Sequence, residues 1–361
     1  MTNDNRFCPE PLDGWLEQAV LADASDLHLV AEHHPIIRVH GRLSVLEKAE
    51  VDESLLRELL QKACPVDAWS LFLEQKDIDF SLTHEISGLT RRFRGNYFFE
   101  QGHLGACFRV IPAEIPDFAW AGFPQGLANR LATMRDGLVL FSGITGSGKT
   151  TTLAMIIQLL NLAGGYRIIT VEEPIEYIFP KTSSTLITQR EVGRDVGSFA
   201  DGLKYGLRQD PDVILVGEIR DRETAHMALS AAETGHLVFS TLHTRDAKGA
   251  VSRFSDLFPH EVQSDIRGQL AMSLRAVISQ HLLDSVVPNQ KRELALEVMF
   301  NNLPVASAIR TGRIETIDTN ILTGRASGMI PLHESIRRLL SKGLVSRVEA
   351  ERFVTDPELL R

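Results

Sequence analysis

One run of residues, Gly143-Ile144-Thr145-Gly146-Ser147-Gly148-Lys149-Thr150, carries the most specific chemistry in the chain. It fits the pattern G-x-x-x-x-G-K-[ST]. Glycines let a backbone curl until several N–H groups point inward at an anion. A helix that begins at the end of such a loop adds the positive end of its dipole. A lysine at position 149 can reach the β- and γ-phosphates of a nucleotide, and the Thr150 hydroxyl can ligate Mg²⁺. The expected nucleotide-binding set is therefore Gly143, Thr145, Gly146, Ser147, Gly148, Lys149, Thr150 and Thr151, with ATP and Mg²⁺ as ligands.

Hydrolysis also needs groups that hold the metal and orient the attacking water. An apolar run ending at Val171 leads into Glu172-Glu173-Pro174-Ile175-Glu176, and another ending at Val216 leads into Gly217-Glu218. Ligands of doubly wound sheets collect at the carboxyl ends of strands, so both groups belong near the loop if their strands neighbour it. Loop carboxylates are commonly just solvated, and for Glu176 alone that bland reading weighs as much as the functional one. Glu218 follows directly on a buried-type strand, which favours a role. His236 and His243 bracket a further apolar run, Leu237–Leu242. One histidine beside a strand is usually structural; two flanking one strand in this setting point more towards the site.

The elements that must position these groups follow from periodicity. Runs at 138–141, 166–171, 213–216 and 237–242 are nearly continuous apolar stretches, as suits strands buried on both faces of a mainly parallel sheet. Helical segments lie between them, the βαβ pattern. The helix leaving the loop runs from Lys149 to about Leu162, and Gly164-Gly165 end it. From about Pro259 the chain reads as helical, through 332–342 and 346–353. The first hundred residues read as a small α+β domain. It has helices over 12–22 and over 51–60, the latter capped by Asp52, and a turn at Gly41. Its strands fall at 27–30, 36–39, 78–82, 92–99 and 105–111. Pro112, Pro116 and Pro124 make 113–135 a poor helix and a linker between domains at 1–112 and 136–361.

Bulk composition narrows the function classes. The chain has 361 residues, of which 43% are hydrophobic, enough for real cores. Its net charge of -9 disfavours nucleic acid as a partner. Cys8, Cys64 and Cys107 form no C-x-x-C pair, so reduced thiols are expected rather than a disulfide framework or a tetracysteine zinc site. The acidic start, with Asp4, Glu10, Asp13 and Glu17, lacks the character of a leader peptide. No stretch nears the ~20 apolar residues of a membrane span. A cytoplasmic location is expected.

With Ala24-Ser25-Asp26-Leu27-His28-Leu29, Glu172 to Glu176, Leu207 to Asp221 and Thr234 to Thr244 added to the loop, nearly the whole chain resembles the type II/type IV secretion (GspE/PilT) ATPase family. Its pilus-retraction branch is the nearest. The resemblance implies an α/β protein in which a PAS-like N-terminal α+β domain precedes a RecA-like P-loop ATPase domain. That second domain would have a mainly parallel sheet and C-terminal helices. The resemblance makes Glu172 the catalytic glutamate, Glu218 the Walker B glutamate on the Mg²⁺ side, and His236 and His243 nucleotide sensors. It makes Arg94 and Arg109 arginines that the N-terminal domain brings to the phosphates; by themselves they read as exposed strand residues. It implies a homo-oligomer, a hexameric ring, that drives an inner-membrane platform protein of a type IV pilus or secretion machine, with a paralogous ATPase as a further partner. The protein would thus be peripheral to the inner membrane through partners. Two departures stand out: Glu173 replaces the family's Asp, and Pro304 to Thr311 keeps only Ala308-Ile309-Arg310 of the retraction motif. The competing readings are an assembly or secretion ATPase, whose usual tetracysteine zinc module is missing, a regulatory subunit with little turnover, and a nucleic-acid translocase.

Overall fold

Alternation of large apolar and polar residues builds the first half. The computed structural model describes residues 10–39, 41–112, 114–287 and 291–360; Asp4 and Cys8 lie outside them. The chain divides into two compact units, Met1–Glu114 and Ile115–Arg361. The first contains α1 (Leu12–Leu21), β1 (Ala24–Val30), β2 (Ile36–Val39), β3 (Arg42–Val45), α2 (Glu53–Ala63), α3 (Val66–Gln75), β4 (Asp77–Ile86), β5 (Leu89–Glu100) and β6 (His103–Ile111). Its strands form one antiparallel sheet in the order β3-β2-β1-β6-β5-β4. Along β5, Phe93 and Tyr97 point to one face and Arg92, Arg94 and Asn96 to the other, as a period of two requires. The apolar face joins Leu12 and Leu16 of α1, Leu56 and Leu60 of α2 and Phe72 of α3 in one core. Asp52 caps α2 as expected, accepting from the N–H groups of Ser54 and Leu55.

The second unit runs α4 (Phe118–Ala121), α5 (Gln125–Ala132), β7 (Gly137–Ser142), α6 (Lys149–Ala163), β8 (Arg167–Glu172), β9 (Leu186–Glu191), α7 (Phe199–Gly206), β10 (Val213–Val216), α8 (Arg222–Glu233) and β11 (Leu237–Leu242). It continues with α9 (Ala247–Asp256), α10 (Gln263–Ser273), β12 (Leu274–Leu283), β13 (Glu293–Phe300), α11 (Leu303–Thr311), α12 (Ile317–Thr323), α13 (Leu332–Ser341) and α14 (Arg347–Glu351). The sheet order is β13-β12-β7-β11-β10-β8-β9, parallel except where β13 meets β12. Every residue of β7, β10 and β11 is buried, which explains their unbroken apolar runs. The protein is thus a mixed α/β chain: an antiparallel α+β unit, then a mainly parallel sheet with C-terminal helices.

Two readings from sequence need correction. The stretch beyond Pro259 is not wholly helical, because β12 and β13 extend the sheet past β7. Their short apolar runs carry no period that separates a buried strand from a buried helix; pairing with β7 decides the matter. The prolines around 112–124 do not suppress helices. Asp117 caps α4 through the Trp120 N–H, and Pro124 precedes the first residue of α5, where a missing N–H loses nothing. Phe118, Phe123, Leu127 and Leu131 enter the second unit's core. Neither Cys64 nor Cys107 is in a disulfide, and burial pushes Cys107 up to about 11, leaving it protonated and inert. Among the described residues, no helix is long and apolar enough to cross a membrane.

Ile278 of β12 is fully buried opposite Phe141 of β7. Ile278→Ala should destabilise the second unit by about 2–5 kcal/mol, read from the denaturation midpoint. A helical, solvent-facing position would instead give a neutral or stabilising change, since Ala is the better helix former.

Candidate functional site

The loop after β7 is shaped by three glycines in conformations that side chains resist. Gly143, Gly146 and Gly148 have φ values of 144°, 77° and 85°. Gly148 sits in the left-handed region immediately before α6. A Cβ on Gly143 would lie 2.6 Å from the Gln280 carbonyl oxygen and 2.4 Å from Ser147 Oγ, so β12 leaves room only for glycine. Lys149, the first residue of α6, is 7% exposed. Its Nζ donates to the carbonyls of Gly143 at 2.6 Å and Ile144 at 3.1 Å. Burial holds its pKa below the ordinary lysine value, and the Glu218 carboxylate opposes that shift. Ser147 Oγ is buried with no hydrogen-bond partner, a state worth roughly 1–3 kcal/mol of penalty. Ile144, Thr145, Gly146 and Thr150 are exposed, while Thr151 Oγ1 lies 3.0 Å from the Tyr177 hydroxyl. Arg292 Nη2 donates to the Gly146 carbonyl at 3.0 Å. A curled loop at a helix start, with a buried lysine and an orphaned hydroxyl, is chemically fitted to a polyphosphate.

The acidic groups gather at the same ends of the neighbouring strands. Glu172 closes β8, is buried, and accepts from Thr170 Oγ1 at 2.6 Å and Gln189 Nε2 at 3.3 Å. Glu218 follows β10. Its carboxylate meets Arg220 Nε at 2.9 Å and His243 Nε2 at 3.1 Å. Arg220 also donates to Glu173 at 3.0 Å. Glu173, Arg220, Glu218 and His243 thus form one polar chain across the carboxyl ends of β8, β10 and β11.

His236 is not part of it. It precedes β11, with Nδ1 3.0 Å from the Ala231 carbonyl and 3.2 Å from Thr234 Oγ1. Its own carbonyl accepts from Gly137 N at the start of β7, whereas the phosphate loop leaves the other end of that strand. Six residues of strand, roughly 20 Å, separate the two positions. Arg94 and Arg109 belong to the first unit, where they face each other across β5 and β6. Arg94 Nε donates to Asp79 at 3.2 Å, and Arg109 Nε donates to the buried Asp26 at 2.9 Å.

Four participants had no role assigned from sequence: Gln280, Arg292, Tyr177 and Arg220. The last lies within the quoted 207–221 stretch. Gln280 lies on β12 and Arg292 just ahead of β13, both in a stretch read as helix, so no signal pointed at them.

Residues 110–344 match the family described as type II/IV secretion system protein. The chain is 39% identical to the uncharacterized protein YggR of Escherichia coli K12, over 90% of this chain and 97% of that one. It is 38% identical to the type IV pilus retractation ATPase PilT of Pseudomonas aeruginosa, over 93% of this chain and 95% of that one. The crystal structure of the pilus retraction motor PilT with bound ADP matches with a TM-score of 0.84 at 37% identity, covering 96% of this chain and 98% of that one. Loop, acidic strand ends and relatives agree: the chain is a P-loop ATPase that belongs to the type II/IV secretion system protein family.

Proposed function

We propose that this protein is an ATP-hydrolysing motor that works as a hexameric ring in a type IV pilus machine, in the direction of retraction. The observation that carries the reading is the junction of Lys149 and the phosphate loop with the Glu218–His243–Arg220 cluster at adjoining strand ends. Retraction is favoured by the likeness to PilT along nearly the full length of both chains.

In this reading the loop amides and Lys149 take the β- and γ-phosphates, with Nζ exchanging the Gly143 and Ile144 carbonyls for phosphate oxygens. The exposed Thr150 hydroxyl and Glu218 suit Mg²⁺, a hard cation that takes oxygen ligands and would neutralise charge on the phosphates when bound. Glu172, set by Thr170 and Gln189, orients the attacking water. His243 joins Glu218 to the end of β11 and reports the state of the phosphates to the next segment of chain. Arg94 and Arg109 supply further positive charge, trading Asp79 and Asp26 for phosphate. A guanidinium suits that trade because it keeps its charge and forks onto two oxygens. Rotation of the first domain about the chain near Glu114, where the two units join, would deliver the stroke to an inner-membrane platform protein. The protein would then lie in the cytoplasm, peripheral to the membrane, with a paralogous ATPase as a second partner. His236, far from the loop within its own chain, fits a role in relaying movement rather than in touching nucleotide.

Phosphate release measured alongside assembly state tests the motor reading: turnover should rise with ring formation, and full turnover by monomers contradicts it. Lys149→Ala should lower turnover by at least about 100-fold, the scale of losing one well-placed donor to developing charge. Retention of most activity would remove the loop from the chemistry. Glu218→Gln keeps the size of the side chain and loses the charge. It should still take up ATP but hydrolyse it about 100-fold more slowly, the scale of losing one electrostatic contact to developing charge. Normal steady-state turnover would refute its assignment.

A further inference from the structure

The phosphate loop rests on a residue that lies outside its motif. Gln280 of β12 is 1% exposed. The β12–β7 register pairs Ser279 with Ser142, and their hydroxyls share a 2.7 Å hydrogen bond, both fully buried. Gln280 therefore stands level with Gly143, where the loop departs from β7. Three parts of it meet the loop. Its carbonyl oxygen fills the space that a Cβ on Gly143 would need, 2.6 Å away. Its Nε2 donates to Thr152 Oγ1 at 3.0 Å, in the first turn of α6, and Thr152 is itself buried. The same nitrogen lies 3.9 Å from where a Cβ on Gly148 would sit. One side chain thus spans the start of the loop, its end and the helix that carries Lys149.

Its remaining polar atom tells against a purely structural role. Gln280 Oε1 is buried without a hydrogen-bond partner, as is Ser147 Oγ on the loop itself. An apolar side chain of the same length would fill the site without a desolvation penalty. On packing alone, methionine would serve better than glutamine.

We infer that Gln280 is a positioning residue for nucleotide binding: through Thr152 and Gly143 it holds the loop amides and the start of α6 in the curvature that a polyphosphate needs. Gln280 does not touch the nucleotide. It acts at the binding step and leaves the hydrolytic groups at the ends of β8, β10 and β11 in place. The inference rests on the nucleotide-binding reading of the loop and names the residue that fixes the loop's shape.

The test removes the bond from either side. Gln280→Met keeps length and loses the donor; Thr152→Val keeps shape and loses the hydroxyl; Thr152→Ser keeps the hydroxyl. ADP affinity is measured by titration calorimetry, and KM and kcat for ATP by phosphate release, on full-length protein with its fold checked by circular dichroism. Gln280→Met and Thr152→Val should each weaken ADP binding and raise KM about tenfold, the upper range for one buried hydrogen bond. Their kcat should stay within about threefold of wild type, and Thr152→Ser should bind as wild type does. The double variant should lose no more than either single one, since the two residues act as a unit. Folded single variants that bind ADP normally would overturn the inference, as would additive losses in the double variant. Unfolding of both singles would also overturn it, by making the bond a stability element. Wild-type protein that takes up no ADP would defeat the nucleotide-binding reading itself, whereas wild-type uptake with unaffected variants defeats only the role of Gln280.

Discussion

The close approach of β12 to the first glycine of the phosphate loop constrains everything built above it. Two buried strands run side by side, and at Gly143 the space between them is already filled by the Gln280 carbonyl and the Ser147 side chain. The chain can leave β7 there only as glycine with a positive φ. That exit angle sets where α6 begins, and with it where the Lys149 ammonium lies. The remaining site residues are carried by strands whose order, β7-β11-β10-β8, is itself fixed by parallel pairing. Catalytic geometry is thus inherited from sheet geometry, and loops contribute only the last few ångströms.

Electrostatics then tie the strand ends together. Glu218 lies between two cationic or potentially cationic groups, Arg220 and His243, and close enough to Lys149 to counter the effect of its burial. Arg220 reaches on to Glu173. In this geometry the longer side chain at 173, where the family pattern has Asp, retains a direct partner. A change at any one member alters the charge felt by the others, so the cluster is one hydrogen-bonded network rather than a set of independent pairs.

The loop, its strand and its helix were legible because local rules and tertiary demand coincide there: glycines at the tight positions, then a lysine, then a helix-forming run. Glu218 is legible by position, two residues past a strand with no polar side chain. His236 shows the limit of proximity in sequence. It and His243 flank the same strand, but a strand separates what it joins, and the two lie at opposite ends of the sheet. β12 and β13 are hidden from a periodicity reading because burial on both faces erases the period-two signal, and with them go Gln280 on β12 and Arg292 in the connection ahead of β13. The pairing of Arg94 and Arg109 with Asp79 and Asp26 was equally invisible, since it arises from cross-strand register rather than from spacing along the chain.

The Arg109–Asp26 contact has a mechanical side. Asp26 is 5% exposed, and Arg109 gives it a direct cation. Drawing the guanidinium away would leave a carboxylate largely cut off from water and short of its counter-charge, a state that strongly favours return. Such a pair behaves as a spring with a preset rest length: an external anion can stretch it only while it supplies comparable attraction, and recoil follows once that attraction fades.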